Sequence, residues 1–178
     1  MNARAWTDGG GNTGYPCSCA CVMDIETPDL EKGIGIHSAV QTWEVAKRLP
    51  NCTTNNEAEY EGVLLALLFA IEKSVGNLFL YTDSRLIRNQ ILGRQPAKDQ
   101  RMKSYLAQVQ SLLQDFDLVR FEWTPRTANR HADRLCREVL RGDSDAFARV
   151  FKAPPRPRER PSLLPPAASA RRRTNPFV

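Results

Sequence analysis

The sequence predicts an α/β fold: a five-stranded mixed sheet, made of a three-strand antiparallel meander and further parallel strands, flanked by helices. Three observations predict it. The first part of the chain reads as strands separated by turns, helix and strand then alternate, and Leu78-Phe79-Leu80-Tyr81-Thr82 is apolar on both faces, as a central parallel strand requires.

Ala3 to Asp8 reads as a short strand closed by the turn-forming Asp8-Gly9-Gly10-Gly11. Cys17 to Glu26 and Gly33 to Trp43 read as two more strands, joined through Thr27-Pro28-Asp29. Cys17, Cys19 and Cys21 alternate and therefore share a face. They lack a His or second Cys pair at metal-ligand spacing and read as half-buried small residues. Thr54-Asn55-Asn56-Glu57 is a capping box, a hydroxyl at the helix start answered by a Glu three residues on, and the apolar run behind it carries a helix to about Ser74. Ser84 to Leu92 is helical until Gly93. Ala97 to Phe116 is a longer helix with Met102, Leu106, Val109 and Leu113 three or four apart. Leu118 to Trp123 supplies a fifth strand, and Ala128 to Arg141 a last amphipathic helix bearing Ala132, Leu135, Val139 and Leu140.

The 178 residues are 42% hydrophobic, enough for one core plus an appendage. Five Cys are too few for a disulfide-stapled scaffold. The longest apolar run, Val63 to Ile71, is half of the roughly 18 residues that a membrane span needs. The start Met1-Asn2-Ala3-Arg4-Ala5-Trp6 has no apolar signal-peptide core, so a cytoplasmic location is expected. The net charge of +5 is local. Lys152 to Val178 holds seven basic residues against Glu159, a charge of +6 that leaves −1 for residues 1–151. With seven prolines, this segment is expected to be a disordered tail, either a solubilising extension or an electrostatic arm for nucleic acid or an acidic protein. The expected organisation is a folded domain over 1–142, a short helical or linker segment over 143–151, and the tail over 152–178.

Asp8 and Asp83 both end strands, where ligand sites of such sheets gather. Asp133 lies among the apolar positions of the last helix. Each also has an ordinary reading: a turn residue, a helix cap and a solvated helix position. A fourth acid belongs to the helix after the capping box. At roughly 100° per residue Glu59 faces about 200° from Glu57 and Glu61, and with Glu57 engaged in the cap it is Glu59 that is assigned to the cluster. Converging carboxylates repel, and divalent cations relieve that repulsion; Mg²⁺ takes oxygen ligands, and two ions about 4 Å apart serve phosphodiester cleavage.

Four blocks, in order, resemble ribonuclease H type 1: Trp6-Thr7-Asp8-Gly9-Gly10, Thr54-Asn55-Asn56-Glu57-Ala58-Glu59-Tyr60, Tyr81-Thr82-Asp83-Ser84, and Pro125-Arg126-Thr127-Ala128-Asn129-Arg130-His131-Ala132-Asp133. The resemblance spans roughly Ala3 to Leu140. It implies an RNase H-like fold and a metal-dependent endonuclease that hydrolyses the RNA strand of an RNA–DNA hybrid, giving 5′-phosphate and 3′-hydroxyl ends. It places Asp8, Glu59, Asp83 and Asp133 on the four metal-binding carboxylates, with two Mg²⁺ ions, or Mn²⁺ in their stead. Gly9 and Gly10 fall where backbone amides meet substrate, and Asn55 and Asn56 on the pair that reads nucleotides and the 2′-hydroxyl, the group that separates RNA from DNA. Asn129 is expected to orient the loop or touch substrate. The mobile His that many members carry before the last acid is absent. The Pro-Arg form resembles the archaeal-like and plant-like branches, and Arg126 is placed in that role, with phosphate binding or loop fixation as the alternatives. His131 reads as an incidental surface residue, and His37 receives no role. Arg94, Lys98, Arg101 and Lys103 stand where some members have a basic protrusion, and would track phosphates or form a solvated helix face. The chain is expected to act as a monomer. The rival readings are the same fold acting on double-stranded RNA or as an exonuclease, and a non-catalytic nucleic-acid-binding module.

Overall fold

The first strand, β1 (Asn2–Gly10), lies inside the sheet, hydrogen-bonded on one side to the antiparallel β2 (Cys17–Pro28) and on the other to the parallel β4 (Asn77–Thr82), with Asp8 opposite Ala20 and Thr7 opposite Thr82. A computed structural model describes residues 1–11, 16–28, 38–51, 54–142 and 144–151. Between and beyond these strands run β3 (Ser38–Leu49), β5 (Leu118–Trp123) and β6 (Ala146–Phe151), giving the order β5-β4-β1-β2-β3-β6. The helices are α1 (Asn55–Glu72), α2 (Arg85–Ile91), α3 (Gln100–Leu112) and α4 (Arg130–Arg141).

The α/β class, the antiparallel meander and the parallel strands appear as the sequence predicts, with one addition. The sheet has six strands, and residues 146–151, expected to be helix or linker, form the sixth, antiparallel to β3 with Glu44 opposite Arg149. The physical reason is long-range. Ala146-Phe147-Ala148-Arg149 alternates only briefly, and its pairing partner lies about a hundred residues earlier in the chain, so no local signal separates it from a connection. The expected helix over Ala97–Phe116 is shorter at both ends: Asp99 caps it, accepting from the Arg101 amide at 2.7 Å, and its last turn tightens into a 3₁₀ segment, Leu113–Asp115. The start of the third expected strand at Gly33, Asp29 of the turn, His37 and the tail Lys152–Val178 lie outside the described residues.

Two cores result from strand parity. Ala3, Ala5, Cys21, Met23, Leu78 and Leu80 face α1 and α3 and bury Tyr60, Leu67 and Val109. The opposite face of β2 and β3, through Ala20, Val22 and Ala46, packs against Ala132, Leu135, Cys136 and Val139 of α4. Cys17, Cys19 and Cys21 are all fully buried on the α1 side. Helices thus cover both faces of the sheet, and β1 ends between them. No described helix is long and apolar enough to cross a membrane.

Candidate metal centre

The capping box forms as the spacing requires. The Thr54 hydroxyl accepts from the Glu57 amide at 3.2 Å, and the Glu57 carboxylate accepts from the Thr54 amide at 3.1 Å. With Glu57 occupied there and by Arg101 at 2.8 Å, and Glu61 held by Lys47 and the Tyr105 hydroxyl, Glu59 is the acid of α1 that turns toward the end of β1.

What brings it there is a backbone-to-backbone contact. A Cβ on Gly9 would lie 2.1 Å from the carbonyl carbon of Ala58, and one on Gly62 would lie 2.9 Å from the Asp8 carbonyl oxygen. Two glycines, one on the strand and one on the helix, let α1 sit directly on β1. Sequence reasoning did not single out Gly62. The available signal was a glycine inside a helix, which costs about 1 kcal/mol relative to Ala and so calls for a packing reason.

Carboxylate oxygens of Asp8, Glu59 and Asp83 lie within 4.8 Å of one another. Asp8 and Glu59 are buried, and Asp83 is half-buried. The Asp83 turn is fastened on several sides. Thr82 Oγ1 accepts from the Ser84 amide at 3.1 Å, Ser84 caps α2, and the Trp123 indole N–H donates to the Asp83 carbonyl at 3.1 Å with the Arg85 guanidinium 4.3 Å above the ring. The cap of α2 is therefore Ser84, which leaves the Asp83 carboxylate to the cluster.

The electrostatics follow from this crowding. Burial, followed by the Asp8 and Asp83 carboxylates, pushes the Glu59 carboxyl up to about 8, while the Asn55 amide and Arg126 act in the opposite direction. Burial and then Asp83 also raise the Asp8 carboxyl, partly offset by Arg126. Glu59 Oε2 is buried with no hydrogen-bond partner among the described residues, and its other oxygen accepts only a long 3.5 Å bond from the Asn55 amide. A hard divalent cation fits this donor set. It would take up the orphaned oxygen and offset both the burial and the mutual repulsion that raise the two acids.

Asp133 stands apart from the three. It lies on the first turn of α4, where Arg137 pairs with one of its oxygens and Arg126 approaches the other at 3.6 Å. Arg126, 78% exposed, is thus the cation between Asp133 and the cluster. Asn129, expected to orient the loop or touch substrate, is only 1% exposed: its amide donates to the Thr7 carbonyl at 2.8 Å and to Asp83 Oδ1 at 3.4 Å, which fixes the start of α4 to β1 and leaves it no surface for substrate. Asn55 accepts from the Gly11 amide at 3.4 Å, and Asn56 is exposed beside it. Gly10 ends β1 above Ser18 and Cys136. His131 is not incidental: its Nε2 lies 2.5 Å from Glu44, a buried carboxylate that also accepts from Arg134 at 2.7 Å and Arg149 at 2.6 Å. Sequence reasoning missed this cluster because its members come from β3, α4 and β6.

Known proteins resemble this chain in sequence and fold. The family model described as reverse transcriptase-like matches residues 36–139. The bifunctional protein Rv2228c of Mycobacterium tuberculosis is 30% identical over 131 residues, 74% of this chain. The chain spans about a third, 34%, of that relative's length. Among solved structures, RNase H1 from the halophilic archaeon Halobacterium salinarum superposes with a TM-score of 0.63 at 26% identity, covering 79% of this chain and 98% of that one. LC11-RNase H1, solved in complex with an RNA/DNA hybrid, gives 0.56 at 26% identity over 76% and 94%.

Proposed function

This chain belongs to the reverse transcriptase-like family of ribonuclease H-like domains, and on that premise we propose that it is an endoribonuclease that hydrolyses the RNA strand of RNA–DNA hybrids, leaving 5′-phosphate and 3′-hydroxyl ends. The observation that carries the reading is the convergence of Asp8, Glu59 and Asp83, with one carboxylate oxygen buried and unpartnered. A binding module gains nothing from concentrated negative charge beside phosphates.

Asp8, Glu59 and Asp83, joined by Asp133 from α4, would hold two Mg²⁺ ions, which supply charge neutralisation and an activated water for phosphodiester hydrolysis. The rest falls to the chain's own residues. Asn55 and Asn56, at the open start of α1, offer amide donors and acceptors suited to a base edge and a 2′-hydroxyl. Gly9 and Gly10 bring backbone amides to the strand end beside the acids, with Gly9 packed directly on the backbone of α1. Asn129 and Trp123 hold Asp83 and the 125–129 loop in register. Arg126 stands in the place of the mobile His. A guanidinium stays protonated, so its contribution is electrostatic, steadying the phosphate of the departing product rather than carrying a proton.

The domain functions as a cytoplasmic monomer in this reading, with the basic tail adding affinity for nucleic acid. The test is cleavage of a uniformly labelled hybrid beside duplex RNA and duplex DNA, with Mg²⁺ or with chelator. Internal cuts in the hybrid alone, lost with chelator and lost in Asp8→Asn and Asp83→Asn, are expected. Undiminished turnover in either variant rejects the site, and cleavage of duplex RNA at equal rate rejects the substrate.

A further inference from the structure

Away from the acidic cluster, positive charge is concentrated on one face of α4. Arg130, Arg134, Arg137 and Arg141 recur at intervals of four, three and four, which places them within a stripe about 60° wide. All four are exposed, while the opposite face of the helix is buried against β2 and β3. Arg126, Thr127, Arg130, Asp133, Arg134 and Arg137 line one shallow groove, which continues along Arg134, Arg137 and Arg141 to Gly142. This path begins at Arg126 and Asp133, beside the proposed metal centre, and its helical part from Arg130 to Arg141 spans about 16 Å at 1.5 Å per residue.

Two features separate the stripe from an ordinary solvated helix face. Arg130 is the first residue of α4 and Arg126 lies just before it, at the positive end of the helix dipole, where helix stability favours acids. Every base on the stripe is Arg, whose planar fork suits phosphate. The acids beside them are accounted for: Asp133 pairs with Arg126 and Arg137, Glu138 with Arg134 and Arg149, and the buried Glu44 anchors Arg134. Arg130 and Arg141 have no acidic partner among the described residues.

We propose that this ridge is a sequence-independent contact for the sugar–phosphate backbone of nucleic acid, engaging the substrate where it leaves the acidic cluster on the α4 side of the sheet. It rests on the hybrid reading above and adds a second surface, on the opposite face of the sheet from α3, which carries Arg101 and Lys103. At 3.4 Å per nucleotide along each strand, 16 Å accommodates about five nucleotides.

The test measures binding of the full-length Asp8→Asn protein to a labelled hybrid by fluorescence anisotropy as KCl is varied. Compared with this parent, Arg130→Gln/Arg141→Gln should flatten the log–log salt slope by about 2, near 0.9 for each phosphate no longer neutralised, and weaken binding roughly tenfold at moderate salt. Arg4→Gln/Arg120→Gln removes the same charge from exposed positions on β1 and β5, outside the α4 ridge, and should keep the parent slope. An unchanged slope in the ridge variant, or an equal loss in the control, overturns the ridge. A parent that binds no hybrid at low salt overturns instead the hybrid reading on which it stands.

Discussion

At Gly9 and Gly62 the space for a side chain is occupied by backbone, which neither a rotamer change nor a flexible neighbour can vacate. Ala at either position must push α1 from β1, and overpacking of this kind costs about 1–3 kcal/mol. Gly62→Ala is expected to lower the unfolding free energy by that amount, seen as a reduced Tm, and to reduce activity more than stability, because the displaced turn carries Glu59; a variant with wild-type Tm and turnover would show that the contact is slack. Glu59 itself gives a pH signature. Its carboxyl binds a proton more tightly in the folded protein, at about 8, than the ordinary 4.5. Below the lower value both states are protonated and nothing is lost; as pH rises toward the upper value the unfolded state ionises first, so stability falls across that window. In chelator, the Tm advantage of Glu59→Gln over the wild type should grow from pH 4.5 to 8 and then level off. Addition of Mg²⁺ to the wild type at neutral pH should release protons, measurable by calorimetry in buffers of different ionisation enthalpy. A pH-independent Tm difference would contradict the burial and crowding of this acid.

At the scale of elements, α4 is joined to the sheet by its apolar stripe and by the Glu44 cluster. Burial alone would raise the Glu44 carboxyl, but hydrogen bonds from His131, Arg149 and Arg134 outweigh it and hold the carboxyl below its ordinary range. A depressed carboxyl stabilises the fold above the unfolded value near 4.5, and that stability is lost as pH falls below it. Glu44→Gln should therefore cost about 1–3 kcal/mol at neutral pH and reduce the loss of stability in acid, as followed by denaturant titration at several pH values. A variant as stable as the wild type at pH 7 would show that the three donors are equally well satisfied by water. The same cluster explains why β6 escapes a local reading. Arg149 is useful where it is because β3 places Glu44 opposite it and α4 places Glu138 beside it, and Phe147 because α4 and β2 leave an apolar edge for it.

Across the whole molecule, charge is distributed by region rather than balanced. Residues 1–151 sum to −1 while Lys152–Val178 carries +6. The acidic centre would repel a polyanion on approach, and basic regions away from it provide the compensating attraction. Removing Lys152–Val178 is expected to leave the cleavage rate at low salt intact and to weaken hybrid binding at moderate salt. Loss of the cooperative unfolding transition on truncation would instead make the tail part of the fold.

Local chemistry was legible because its causes are local. The Thr54–Glu57 capping box, the apolar Leu78–Thr82 strand and the carboxylates at strand ends are each decided by residues within a few positions, and the box by elimination pointed to Glu59. Other features depend on residues distant in the chain. That Asn129 is sealed beneath Thr7, that His131 serves Glu44, that Arg126 lies between Asp133 and the other three acids, and that 146–151 completes the sheet are outcomes of packing α4 and β3 together. The sequence by itself determined which acids can meet and on which elements they ride. Only the tertiary structure decided how closely they meet, because that distance is set by two glycines on different elements sharing one backbone contact.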